Sequence, residues 1–196
     1  MELTQTPHSA VNRGALNLLE AAIFFVLVLL VLALAITQGG ALFNRNDAST
    51  EYANAAELMT NTRTMLKTSG TYNFAAADAM TGALIQFGGA PANMTVVGTK
   101  SSGSAKLQNL WGGAVTVQPV ATAGGQKSTF SLTYAAIPQE ACITLATKLS
   151  AAPSVVTTMV NGTSTNGAIA ASAIGAQCTA DKGSVGQNTL TFTSNT

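Results

Sequence analysis

The sequence predicts an α+β chain in which one long N-terminal helix, membrane-type in its first half and amphipathic in its second, packs on an antiparallel sheet. Three observations carry that expectation. Residues 21–36, AAIFFVLVLLVLALAI, are uninterrupted apolar. Residues 46–69 then show polar and apolar positions at helical spacing. The remainder holds short alternating or β-branched runs bounded by Gly- and Asn-containing turns, with helical patterns kept apart from them. Charged residues make up 9% of the 196 positions, far below the ~25% of ordinary soluble domains. The lysines and arginines are scattered rather than clustered, which argues against a nucleic-acid surface.

Taken in order, the apolar run extends back to Leu16 with only Asn17 and Glu20 polar, long enough for the roughly 20 residues that cross a hydrocarbon core. Arg13 on its N-terminal side favours a cytoplasmic start. Three readings stay open. A secretory signal peptide would use Ala33-Leu34-Ala35 as its cleavage site. A plain anchor accounts for the length but leaves Glu20 inside an apolar segment at a cost on the order of a few kcal/mol. The third reading gives Glu20 a partner and a function. Beyond Gly39-Gly40 the stripe Ala53, Ala56, Leu58, Met59, Met65 and Leu66 continues the helix to residue 69, with Asn46 or Asp47 as a cap for a restart and Gly70 as a stop. Such a helix is about 80 Å long. The two glycines weaken it by ~1 kcal/mol each, as a surface linker or as a segment that unwinds and stretches.

Residues 74–87 read as a second helix and 88–94 as a loop. Residues 94–98, 114–122 and 128–137 read as strands, the last two joined by the turn AGGQK. Pro138 opens a helical pattern over 138–151; 154–161 reads as a strand, 162–178 as loop, and 188–194 as a final strand. Cys142 and Cys178 most simply form one disulfide in an oxidising compartment, worth roughly 4 kcal/mol; two buried free thiols are the alternative. A metal site is disfavoured because no histidine or third cysteine lies nearby.

The chemistry of an enzyme is missing. His8 is the single histidine, and the acids Asp47, Glu51, Glu57, Asp78, Glu140 and Asp181 form no close pair on a common element. Glu51 and Glu57 read most simply as a solvated helix face or as subunit contacts. GGQKST lacks the order and context of a phosphate loop. The expectation is therefore no enzyme, no cofactor and no metal.

A short polar leader, Arg13-Gly14, a few mostly apolar residues, Glu20 and a long apolar helix together resemble a type IV prepilin. NLWGGAVTV (109–117), IPQEACITLAT (137–147) and the paired cysteines are similar to the major pilins of type IVb systems, those of thin conjugative and enteric pili, along nearly the whole chain. The resemblance implies a pilin-like fold and a leader of residues 1–14, or 1–15, removed by a prepilin peptidase before the apolar run. Cleavage after Gly14 makes Ala15 the first mature residue and Glu20 the sixth. Cleavage after Ala15 makes Leu16 first and Glu20 fifth, the position the family prefers. In that family this glutamate is held to pair with the N-terminal amine, commonly methylated, of a neighbouring subunit.

The same resemblance implies a chain held in the inner membrane as a precursor and passed by assembly machinery into an extracellular homopolymer. Residues 15–69 would form the long helix, with polymerisation through 16–43, and 70–196 the globular head. The Cys142–Cys178 bridge would enclose a variable surface region. Trp111 reads as an aromatic core plug and Gly112-Gly113 as a tight bend. A role in conjugation or adhesion is implied. A minor pilin, a type II secretion pseudopilin and a membrane-anchored periplasmic domain are the alternatives.

Overall fold

A computed structural model describes residues 13–183 and 185–195, with side-chain surroundings for 20–31, 46–183 and 185–195. The leader expected at 1–14 therefore lies mostly outside the described residues, and the side chains of Gly14, Ala15, Leu16, Gly39 and Gly40 lie outside them as well. The chain divides into two compact units, Met1–Leu42 and Phe43–Thr196.

Helix α1 runs over Arg13–Leu66. Its backbone is helical at Gly39 and Gly40 and again at Asn46 and Asp47. A penalty of ~1 kcal/mol per glycine is small beside the cooperativity of a helix already formed on both sides. The helix stops three residues before the expected end. Ser69 and Gly70 take positive φ (50° and 83°) and Thr68 pairs with Thr71 across the resulting turn.

The second unit holds a seven-stranded antiparallel sheet in the order β1-β2-β3-β4-β7-β5-β6. Its strands are β1 (Thr95–Val97), β2 (Lys106–Gln108), β3 (Ala114–Val120), β4 (Thr129–Ile137), β5 (Val155–Val160), β6 (Thr163–Asn166) and β7 (Asn188–Ser194). Helices α2 (Ala77–Gln86), α3 (Gln139–Ser150) and α4 (Ala171–Ile174) complete it. Period-two alternation explains the sheet's two faces. Phe130, Leu132 and Tyr134 of β4, with Leu190 and Phe192 of β7, are buried on the inner face. They share one apolar core with Ala48, Ala55, Leu58, Met59 and Leu66 of α1 and with Ala141, Leu145 and Leu149 of α3.

The buried positions of α1 differ from the expected stripe. Ala48, Glu51, Ala55, Leu58, Thr62 and Leu66 face inward at i, i+3 and i+4 spacing, while Ala53, Ala56 and Met65 are exposed. Apart from the exposed Lys106 of β2, whose neighbour Leu107 turns inward, the outer face of the sheet is uncharged among the described residues. Gln118, Ser131, Thr193, Thr157 and Asn166 form one cross-strand row, and Thr116, Thr133, Thr191, Met159 and Ser164 the next. Beyond the end of β2, the free edge of β3 is closed by a side chain. The Thr81 hydroxyl of α2 accepts from Val117 N–H at 3.0 Å and donates to its carbonyl at 3.3 Å.

Candidate functional site

From Glu20 to Val31 every residue of α1 is exposed, including Phe24 at 67% and Phe25 at 71%. These two rings and Ile23, Val26, Leu27, Leu29 and Leu30 distribute around the whole circumference rather than along a stripe. A helix apolar on all sides needs apolar surroundings on all sides. Glu20 stands at the N-terminal edge of this stretch and is exposed. Among the described residues, no helix is long and apolar enough to cross a membrane.

In the second unit the carboxylate Glu51 is fully buried. That corrects the solvated-face expectation. Its Oε1 accepts the Leu110 N–H at 2.7 Å, fastening α1 to the turn between β2 and β3. Asn54, Tyr134 and Asp47 border the carboxyl. Glu51 Oε2, Asn54 Nδ2 and the Tyr134 hydroxyl are buried without a well-formed hydrogen bond. Burial pushes the Glu51 pKa up, against the lowering effect of the Leu110 N–H, Asn54 and Tyr134, and the Asp47 charge adds to the rise. Burial likewise holds the Tyr134 phenol well above its ordinary range, with Glu51 adding to the rise.

The Leu110 amide is aimed by Asn109. Asn109 Oδ1 accepts from Trp111 N–H (3.0 Å) and Gly113 N–H (2.8 Å), and its Nδ2 donates to the Ala135 carbonyl (2.8 Å). Gly112 has φ +77°, and a Cβ at Gly113 would stand 1.9 Å from the Ala135 carbonyl oxygen. Both glycines of the bend are thus required, one by conformation and one by space. Trp111 is half-buried and packs on the core's margin rather than plugging it, and its Nε1 is buried without a hydrogen-bond partner. No local pattern marks Glu51, because its partner lies 59 residues away, whereas Asn109 joins the local amides of Trp111 and Gly113 to a carbonyl 26 residues away.

Cys142 of α3 and Cys178 are joined by a disulfide. A second fastening lies beside it. Buried Asn188 donates to the carbonyls of Ile137 (3.0 Å) and Thr179 (2.9 Å) and accepts from Thr179 N–H (2.7 Å) and Asn161 Nδ2 (2.8 Å). Asp181 Oδ1 accepts from Gln139 N–H (2.8 Å) at the start of α3, where helix dipole and unpaired amides favour a carboxylate. Among the described residues, no group of His, Cys, Asp and Glu is arranged to hold a metal ion.

Comparison with known proteins places these features. The family model described as PilS N terminal matches residues 45–195. The crystal structure of a type IVb pilin from Salmonella typhi is 38% identical, covers 74% of this chain and 97% of its own, and superposes with a TM-score of 0.65. The NMR structure of the type IVb pilin PilS from Salmonella typhi is also 38% identical, covering 75% of this chain and 95% of its own with a TM-score of 0.52. No match is found among curated protein sequences. With the family match spanning most of the chain and the sheet, helices and paired cysteines in place, the chain belongs to the PilS family of type IVb pilins.

Proposed function

We propose that this chain is the repeating structural subunit of a type IV pilus and that it polymerises through the apolar first half of α1. The observation that carries the reading is the segment from Ala21 to Val31, apolar around its whole circumference and exposed. Such a surface is stable only in a bilayer or among copies of itself, and those are the two surroundings a pilin passes between. Before assembly the precursor sits in the inner membrane. A prepilin peptidase removes residues 1–14 or 1–15, and the assembly machinery moves the helix into a bundle away from both water and lipid.

Glu20 then has a purpose. An unpaired carboxylate in such a bundle is strongly disfavoured, whereas one paired with the N-terminal ammonium of a neighbour is tolerated and fixes the register of assembly. The head, with its disulfide-fastened loop, faces outward and makes the filament's contacts with cells or surfaces, as in adhesion or conjugation.

The test is intact and N-terminal peptide mass on protein sheared from the cell surface, for wild type and Glu20→Ala. We expect a wild-type chain beginning at Ala15 or Leu16, with or without one added methyl group, and abundant sheared filaments. Glu20→Ala should remain membrane-inserted and give few. A wild-type chain beginning near Thr37 would remove the helix and overturn the reading; normal piliation by Glu20→Ala would sink the amine pairing alone.

A further inference from the structure

Two Asn-Gly steps flank β6, Asn161-Gly162 and Asn166-Gly167, and the sequence holds no other. Glycine after asparagine leaves the side-chain amide open to the following backbone nitrogen, because no Cβ stands in the way. The structure treats the two steps differently, and the difference lies in the side-chain nitrogen. Asn161 Nδ2 donates to the Gln177 carbonyl and to Asn188 Oδ1, both at 2.8 Å, and its Oδ1 accepts the Thr189 N–H at 2.9 Å. That amide is held at both ends. Asn166 is exposed, and its Oδ1 accepts the Thr157 hydroxyl at 2.8 Å. Its Nδ2 makes no hydrogen bond among the described residues.

The backbone around Asn166 is a margin of the sheet. Strand β6 is an edge strand, and Thr157 with Asn166 is the last pair of its hairpin with β5. Just beyond that pair the Gly167 N–H donates to the Val156 carbonyl at 3.1 Å. The outermost rung of an edge hairpin opens at small cost, and opening frees the Gly167 nitrogen.

We propose that Asn166 is a site of spontaneous covalent modification, converted by its own neighbour Gly167 to aspartate and isoaspartate. The proposal goes beyond the assembly reading and does not depend on it. The Gly167 nitrogen gives its proton to water or hydroxide and bonds to Asn166 Cγ. The carbonyl electron pair moves onto Oδ1, where the Thr157 hydroxyl already donates, the placement that stabilises a developing oxyanion. The pair then returns, the Cγ–Nδ2 bond breaks, and Nδ2 takes a proton from water and leaves as ammonia. Water opens the resulting succinimide ring at either carbonyl, giving aspartate or isoaspartate. One water is consumed for each ammonia released, and nothing is oxidised or reduced. Asn161 has a comparable donor in the Thr189 N–H, but its nitrogen must break two hydrogen bonds to leave, one of them to buried Asn188.

The products alter the edge. Strand β6, Thr-Ser-Thr-Asn, carries no charge. Aspartate places one there, and charge on an edge strand discourages pairing with a further strand. Isoaspartate adds a methylene to the backbone and ends the Thr157–Asn166 register.

The experiment incubates the folded full-length chain in detergent at mildly alkaline pH and maps samples, digested at acid pH, by peptide mass. Electron-transfer fragmentation separates aspartate from isoaspartate. We expect Asn166 to convert first and Asn161 at least about tenfold more slowly, whereas in denaturant the two convert at similar rates. Thr157→Val should slow Asn166 about fivefold, and Thr157→Ser should restore the rate. The comparison of the two asparagines within the wild type needs no variant, so it stands even where Thr157→Val does not fold. Faster conversion at Asn161, equal rates at both sites in the folded chain, or conversion of Asn166 only after unfolding would overturn the proposal. An unchanged rate in folded Thr157→Val would overturn the part given to the hydroxyl.

Discussion

Glu51 lies at a position of α1 where helical spacing demands burial, and the chain supplies a carboxylate there. Because its pKa is raised above the ordinary 4.5, the native state holds this proton more tightly than the unfolded chain does. Its contribution is therefore fully present below about pH 4.5 and is lost as the pH rises through the raised native value. We expect the wild-type Tm to fall across that window towards neutrality and Glu51→Gln to flatten the profile, since glutamine still accepts the Leu110 N–H. Thermal melts across pH check this; parallel profiles for the two proteins would refute the linkage. At Gly113 the constraint is steric. Gly113→Ala should destabilise the head by about 1–3 kcal/mol, because backbone rather than a flexible side chain must move, whereas Gly112→Ala should cost about 1 kcal/mol for its positive φ alone. The bend around Trp111 is legible from its two glycines. The burial of Glu51 is not, since the amide that makes it tolerable comes from a turn 59 residues later.

At the scale of elements, α2, α3, β3, β4, β5 and β7 follow from periodicity and turn chemistry, and the structure places each within a few residues of the expected bounds. Strands β2 and β6 escape the sequence reading for different reasons. β2 is three residues long and too short to show a period. β6 falls within the stretch expected as loop, although Asn161-Gly162, at φ +48° and +90°, is the two-residue hairpin signal that pairs it with β5. The cysteines are visible in the sequence, but the Asn188 fastening is not, because an isolated asparagine has no pattern. The two fastenings can be separated by mutation. Cys142→Ser should lower unfolding free energy by roughly 4 kcal/mol in oxidising buffer. Asn188→Ala should cost about 2–3 kcal/mol by leaving several buried groups unpaired. Denaturant titration gives both values, and amide exchange at Thr179 should quicken in Asn188→Ala with the disulfide intact. Unchanged exchange there would show that the disulfide alone holds the loop.

For the whole molecule, the division of labour along α1 makes the strongest demand. Among the described residues, every member of the apolar core lies at or beyond Ala48, and the second compact unit begins at Phe43, so the amphipathic half of the helix belongs to the head's own core. In the half that precedes it, the described side chains, Glu20 to Val31, are all exposed. Removing residues 1–44 should therefore leave a folded, monomeric head whose denaturant midpoint matches that of the intact chain in detergent, while the intact chain self-associates once detergent is withdrawn. Sedimentation of the two proteins with far-UV circular dichroism distinguishes the cases. A truncated chain that unfolds would mean the first half of α1 stabilises the head after all. One that stays folded and still polymerises would move the assembly surface from the apolar helix to the head, leaving Glu20 with no partner to find.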